Sequence, residues 1–459
     1  MSQRFGRGFV VALFSVAWPL AAAADDWPTW RGPTGDGVWR EGGVVERFAS
    51  ERLARVWTAE IGSGYSGPTV AAGRVYVTDR VIEPKQIERV HCFDAKTGKA
   101  IWSHAYDAAY RGVGYEAGPR ACVTIHDGRA YSLGTMGHLF CFDAADGRVI
   151  WQKDTLKEYA IEMPQWGIAT TPVVFEDLLI VQIGGTPGAN VVAFDRKSGE
   201  EKWRALGDGA SYSTPIVIEQ AGQPVLVVWT AERLCGLDPR TGKQHWATDY
   251  EPGGVRMNVS SPVFDGRRIF VSSFFDGAML VEAAKDRLEA NRLWRRKGPS
   301  EKESDALHST IGTPLLQGDF IYGIDSYGQM RGLKLANGDR VWEDQTAMPK
   351  ERWGTLYFVR HVAGGVKGRP ELAGSREAET LSRGDRVDDV WMFNERGELL
   401  IGALTPQGFQ ERSRAKLIDP TTDQLRRGDG VCWSHPAFAD RCVFARNDRE
   451  LVCASLAKD

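Results

Sequence analysis

Cys92-Phe93-Asp94-Ala95-Lys96-Thr97-Gly98-Lys99-Ala100-Ile101-Trp102 reads as the end of one strand, a tight turn and a second strand that closes on a tryptophan. Asp94 can bond the turn amides through its carboxylate, and Gly98 can take the positive φ that a tight hairpin needs. The β-branched and aromatic residues on either side suit a pleated, half-buried surface. The pattern recurs at Cys141 to Trp151, Ala193 to Trp203 and Gly236 to Trp246. A weaker copy runs from Gly332 through Asn337-Gly338 to Trp342, and the copy ending at Trp294 has lost its glycine turn. Strand-rich units repeating every 40–50 residues or so denote a propeller.

The repeat overrides the chain length as a guide to domains. A chain of 459 residues suggests about three domains on length alone. One repeat unit, however, cannot bury its apolar face without neighbours to stack on. The 51 glycines and 16 tryptophans fit many tight turns and one anchoring indole per unit. A net charge of −3 gives no electrostatic footprint for nucleic acid.

Arg4 and Arg7, the apolar run Phe9 to Leu20 and the small residues Ala21 to Ala24 have the order of a secretory signal. Residues 1–24 are therefore expected to be a cleaved signal peptide, and the protein to be periplasmic or secreted. The apolar run is too short and interrupted for a membrane span, so none is expected in the mature chain. No cysteine precedes Cys92, which argues against a lipid-anchored mature N-terminus.

Seven cysteines in an exported chain raise the question of disulfides. Cys92, Cys141 and Cys453 occupy a slot held by Ala193 and Gly236 in other copies. That slot reads as a small buried position, where free Cys packs as a small hydrophobe. The pairing of Cys122, Cys235, Cys432 and Cys442 is open, and the odd count leaves at least one thiol free or paired with another chain.

Residues 25–52 open with Trp27-Pro28-Thr29-Trp30-Arg31-Gly32-Pro33, whose Pro and Gly content excludes a regular element. This segment is expected to be an ordered arm lying against the body, with residues 53–459 forming one propeller. Leu53 to Trp57 looks like the end of a repeat, and Ser434 to Cys453 supplies three strands without a fourth. The N-terminal strand around Trp57 is thus expected to complete the last blade and remove an open sheet edge. First strands follow a small-residue-Pro step, as at Thr171-Pro172, Thr214-Pro215 and Ser261-Pro262. Starts near 66, 119, 170, 213, 260, 312, 353 and 434 make the fold class all-β. It is an eight-bladed β-propeller of four-stranded antiparallel blades, the last closed by the N-terminal strand. The seventh blade carries an insertion at 360–389, in which Arg376 to Arg383 is expected to form a helical turn or two.

Loops joining a fourth strand to the next first strand share one face with loops joining second and third strands. Those loops are the elaborated ones here, and loops presented by a rigid scaffold carry function. The insertion falls on the opposite face. If first strands line the channel, the residues just before them ring one mouth. These are Tyr65, Tyr115, Glu116, Arg120, Trp166, Tyr212, Arg256, Asn258, His308, Arg352, Trp353, Trp433 and His435. Aromatics with Arg, His, Glu and Asn at a concave mouth could bind a planar or sugar-like ligand, or could simply plug the funnel. Trp57, Trp102, Trp151, Trp203, Trp246, Trp294 and Trp342 follow the repeat register and read as blade anchors. His308 and His435 lack a third ligand at recognisable spacing, so no metal is expected. Gly62 to Gly67 spells G-x-G-x-x-G, but no helix follows it, and a dinucleotide site needs one.

The Asp-x-x-Thr-Gly-x-x-x-Trp hairpin resembles the tryptophan-docking motif of pyrroloquinoline-quinone-type propeller repeats. That family includes quinoprotein alcohol dehydrogenases and non-enzymatic members such as the propeller of the outer-membrane barrel-assembly machinery. Trp27 to Pro33 and Trp433-Ser434-His435-Pro436-Ala437-Phe438 resemble a group of exported bacterial proteins with such repeats. The resemblance implies the fold directly. For a dehydrogenase it would also imply a disulfide between adjacent cysteines over the quinone, and a calcium or lanthanide held by carboxylate and amide ligands beside a catalytic Asp. This sequence has no adjacent cysteine pair, and its carboxylates do not register onto that pattern. The expected function is a binding or scaffold module without catalytic apparatus or cofactor. Its expected partner is an envelope protein or a small-molecule or glycan ligand, with no nucleic acid. The rivals are a pyrroloquinoline-quinone oxidoreductase with calcium, and a carbohydrate-binding or carbohydrate-active protein using the aromatic mouth.

Overall fold

The computed structural model describes residues 26–363 and 389–458. The signal-peptide reading of 1–24 and the helical turns expected at 376–383 lie outside the described residues. In the hairpin at Asp94, one carboxylate oxygen accepts from the Lys96 amide (3.1 Å), the Thr97 amide (2.8 Å) and the Thr97 hydroxyl (2.7 Å). Gly98 turns the chain at φ +68°. Across the ladder Cys92 faces Trp102, Cys141 faces Trp151 and Cys453 faces Trp57. The slot is small because an indole lies over it: a Cβ on Gly236 would come within 2.2 Å of the Trp246 ring.

Each indole but that of Trp246 also reaches the next blade. Trp57 Nε1 donates to Ala95 O (2.8 Å), Trp102 Nε1 to Ala144 O (3.0 Å) and Trp294 Nε1 to Leu335 O (2.9 Å). The next turn glycine lies beneath the ring, so that a Cβ at Gly98 would stand 2.6 Å from Trp57 and one at Gly147 2.5 Å from Trp102. Trp246 faces the blade without a turn glycine and instead donates to Gln220 Oε1 (2.9 Å) in its own blade.

Repetition of this unit builds eight sheets, seven of four strands and one of five. All strand pairs within the repeat units are antiparallel, so each blade is a four-stranded meander. The first strands, among them Thr69–Ala71, Thr124–His126, Val173–Phe175 and Ala437–Ala439, are short. In six blades they begin about three residues after the sequence-based starts, because the proline in the small-residue-Pro step has no N–H for the ladder. They contact one another around the central channel. Side-chain bonds tie neighbours together: Thr69 Oγ1 donates to Val123 O (2.9 Å), Thr124 Oγ1 to Pro172 O (2.7 Å) and Ser213 Oγ to Ser260 O (2.9 Å). The apolar core lies between blades. Tyr76, Val90 and Trp102 of blade one, for example, pack on Phe140 and Phe142 of blade two.

The ring closes as the repeat arithmetic requires. Arg55–Glu60 pairs antiparallel with Glu450–Ser455, the third strand of blade eight. An Arg55–Glu450 ion pair (2.8 Å) ties its start to that strand. The N-terminal arm packs against the inner edges of the blades, along the channel. Trp27 bridges to Val70 at the inner edge of blade one, and Pro28 O accepts from the Ile125 amide of blade two (2.8 Å). The arm turns over near Trp30 to Gly37 and comes back. Val38–Trp39 then adds a parallel strand to the inner edge of blade seven, opposite Arg360 and His361. It leaves beside blade eight, where Val44 bridges to Ala457. Trp39 is fully buried against Trp391, Phe438 and His361. The inner edge of blade seven is open to a fifth strand, and the arm satisfies its backbone groups. Among the described residues no helix is long and apolar enough to cross a membrane.

Candidate functional site

The arm occupies the channel from the hairpin-turn end and leaves a cavity of about 150 Å³ at the loop-rich end. Register explains the layers of its wall. Two residues before each first strand stand Gly67, Cys122, Thr171, Thr214, Ser261, Thr313, Gly354 and His435. Most of these line the cavity, with the aromatic residues Tyr65, Tyr212, Trp353 and Trp433 one or two positions earlier and Trp166 and Tyr115 further back in their loops. Trp30 of the arm, with its Nε1 donating to Ser261 Oγ (2.8 Å), forms the floor.

Of the thirteen mouth residues expected from sequence, eight line this cavity: Tyr65, Tyr115, Arg120, Trp166, Tyr212, Trp353, Trp433 and His435. Their positions are fixed by partners behind them. Tyr65 donates its hydroxyl to Gln424 O (2.9 Å), the Trp166 amide donates to the Tyr212 hydroxyl (3.3 Å), and Trp433 Nε1 donates to Glu395 Oε2 (3.2 Å). Trp353 stacks on Phe274 with ring centroids 4.2 Å apart. Burial pushes the Tyr65 and Tyr212 phenols up, so both are neutral donors near neutral pH.

The other five stand outside the cavity wall. Arg256 pairs with Glu232 (2.5 Å), and Arg352 pairs with Glu301 (3.2 Å) while lying over Trp353. Glu116 is exposed and offers its backbone carbonyl to Arg80. Asn258 is buried and donates to Thr230 O (2.8 Å). His308 is fully buried, with Nδ1 on Phe274 O (2.9 Å) and Nε2 accepting from the Gly298 amide (3.2 Å). Position before a first strand says that a residue is near the mouth. It does not say which way the side chain turns.

Sequence reasoning missed Trp30, Cys122, Met257, Thr310 and Tyr357 in the wall. The residue before the proline, a hydroxyl at Thr171, Thr214, Ser261 and Thr313, was an available signal for the deep ring, since Cys122 and His435 share its register. The Cys122 sulfur lies 2.7 Å from His435 Nε2, and His435 Nδ1 lies 3.1 Å from Pro436 O. The imidazole proton therefore sits on Nδ1, and the thiol donates to Nε2. Desolvation raises Cys122 to about 12 and lowers His435 to about 4, so both are neutral at rest.

The seven thiols are all free. Six are buried and Cys442 is half-buried.

The matches to known proteins agree with this architecture. The family described as outer membrane protein assembly factor BamB matches residues 38–104, 86–344 and 283–366. This chain belongs to the pyrroloquinoline-quinone-like β-propeller family. Within it, the chain is 30% identical over 308 residues to an outer membrane protein assembly factor BamB from Burkholderia pseudomallei, covering 64% of this chain and 69% of that one. It is 26% identical over 187 residues to a 1-butanol dehydrogenase (cytochrome c) from Thauera butanivorans, covering 39% of this chain. The chain spans 24% of that dehydrogenase's length. The crystal structure of BamB from Moraxella catarrhalis superposes with a TM-score of 0.52 at 15% identity, over 88% of this chain and 97% of that one. At that identity the likeness is one of fold.

The family name raises the question of whether the cavity fits a quinone with three carboxylates and a divalent cation. Its wall contains no Asp or Glu. Among the described residues no group of three or more His, Cys, Asp or Glu side chains could hold a metal. Arg120, the one cation in the wall, already donates to the carbonyls of Gly114, Tyr115 and Gly118. A tricarboxylate would find one guanidinium for its three charges, and a hard cation no oxygen cage. These residues do not fit that group.

Proposed function

We propose that this chain is an exported binding propeller of the bacterial envelope. Its working site is the aromatic cavity, and its ligand is a small, uncharged, ring-bearing molecule. The observation that carries this reading is the composition of the wall. Aromatic rings converge from five blades and the loop before blade two, over a floor made by Trp30, with one internally satisfied cation and no carboxylate. Aromatic faces bind flat or ring-shaped ligands by stacking and dispersion. A ligand with several carboxylates would lose more hydration than the single Arg120 guanidinium restores. Envelope placement is supported by the basic-apolar-small order of residues 4–24 and by the name of the assembly-factor relative. Catalysis is not part of this reading, because fold does not carry function and the wall has no carboxylate acid–base pair.

The test is a calorimetric and thermal-shift screen of neutral glycans, neutral aromatic heterocycles and their carboxylated analogues. Neutral members are expected to bind and carboxylated ones to fail. Trp166→Ala and Trp353→Ala are each expected to weaken binding by about tenfold or more, as loss of an aromatic stack does. Binding of carboxylated ligands in preference to neutral ones, or indifference to both substitutions, would refute it.

A further inference from the structure

We propose that Cys122 and His435 form a covalent-capture site at the base of the cavity, taking an uncharged, ring-bearing α,β-unsaturated carbonyl compound. The proposal rests on the cavity being a ligand site and names the class of ligand that it would retain.

The pair is built by three consecutive ring positions. His435 belongs to blade eight, Gly67 to blade one and Cys122 to blade two. A Cβ on Gly67 would stand 2.2 Å from His435 O and 2.5 Å from its ring atoms Cε1 and Nε2. A side chain there would push the imidazole off the thiol, so glycine at this one position lets residues two blades apart meet. Trp30 holds the other side of the ring, edge-on at 4.7 Å between centroids. Nδ1 is committed to Pro436 O, which leaves the Nε2 lone pair facing the sulfur at 2.7 Å.

A second feature of the same wall points to a ligand. The Thr310 hydroxyl is buried, with the residue 2% exposed, and has no hydrogen-bond partner. It lines this cavity from blade six, across the channel from Cys122. A buried hydroxyl without a partner is costly unless a bound molecule satisfies it. An acceptor atom on the far side of a bound ligand would do so.

The chemistry balances with what is present. Sulfur attacks the β-carbon as Nε2 of His435 takes the thiol proton. The carbon–carbon π pair moves toward the carbonyl, whose oxygen takes up the developing enolate charge. Nε2 then returns the proton to the α-carbon. One S–C bond and one C–H bond form, the S–H bond and the C=C π bond are lost, and no oxidant or reductant is needed. A base within hydrogen-bond reach of the thiol is what such an addition requires. In the resting state the pair is neutral and screened from water, so charged thiol reagents gain nothing by entering.

The experiment uses the full chain with N-phenylmaleimide, its unreactive twin N-phenylsuccinimide, and iodoacetate as a charged control. Adducts are located by peptide mass spectrometry. The expected first adduct is at Cys122, with a rate that saturates in maleimide and is suppressed by excess succinimide, while iodoacetate leaves Cys122 unmodified. His435→Gln is expected to slow the reaction by about a hundredfold, the lower range for loss of a positioned base. Cys122→Ser is expected to form no adduct at that position, which keeps the test independent of whether His435→Gln folds. Unmodified Cys122 in protein that binds the succinimide overturns capture and leaves the binding reading standing. Failure of both reagents to bind or react removes both readings for this ligand class. Labelling that does not saturate, or that falls first on half-buried Cys442, also overturns the proposal.

Discussion

Gly98 and Gly73 are a matched pair that separates two costs. Both turn the chain at positive φ, +68° and +71°. A Cβ at Gly98 would meet the Trp57 ring at 2.6 Å, whereas one at Gly73 has nothing within 4 Å. Gly73→Ala is expected to cost only the left-handed backbone, about 1 kcal/mol. Gly98→Ala adds displacement of a docked indole and is expected to cost roughly 2–4 kcal/mol. Urea midpoints of the two variants, read at constant slope, check the difference.

His435 makes a prediction of sign. Its pKa in the folded protein is lowered by burial to about 4, against roughly 6.5 when unfolded. Between those values the unfolded chain binds more protons. Stability is therefore complete above about pH 6.5 and is lost as pH falls toward 4, by on the order of 3 kcal/mol. Glu395, pushed upward by burial, works in the opposite direction at the acidic end. The measurement is thus the slope of stability against pH in wild type minus that in His435→Gln, expected to be positive between pH 4 and 6.5.

At the scale of elements, the arm does more than decorate the body. Its segment Val38–Trp39 is a fifth strand on blade seven, and its Trp30 is the cavity floor. Trp39 is 1% exposed and packs among Trp391, Phe438 and His361. Trp39→Ala is expected to cost about 3–5 kcal/mol, as deletions of large buried aromatics do. Limited proteolysis of this variant is expected to cut first within the arm, whose backbone bonds then open below the global unfolding energy. Initial cleavage elsewhere, with the arm protected, would show that the arm is held by its ladder bonds alone. Strand Arg55–Glu60, by contrast, was legible in the sequence. Its tryptophan keeps the repeat register, and the last repeat lacks one strand.

For the whole molecule, the cavity exists only when the ring is closed. All eight blades and the arm contribute to its wall. Apart from Arg120 its wall carries no charge, although the chain carries 57 Lys and Arg and 60 Asp and Glu; many of those charges pair elsewhere, as at Arg233–Asp208 and Arg240–Glu176. Affinity for a neutral ligand is therefore expected to change by less than about twofold between 50 mM and 500 mM salt, since screening has no charge pair to weaken. Titration at the two ionic strengths checks this, and a steep loss with salt would place the ligand on a charged surface instead.

The periodic features were determined by the sequence alone: the hairpin, its turn glycine, the cross-strand tryptophan, the count of eight and the closing strand. These depend on local sterics and on a spacing that each unit repeats. The direction of a mouth side chain depends on what its neighbours from other blades leave open. Trp166 and Trp353 turned inward, while Arg256 and His308 found partners behind the wall. The meeting of Cys122 with His435, 313 residues apart, and the course of the arm through the channel were decided only by the tertiary structure. Both depend on closing the ring, which brings distant residues together at one axis and leaves a space whose shape no single repeat encodes.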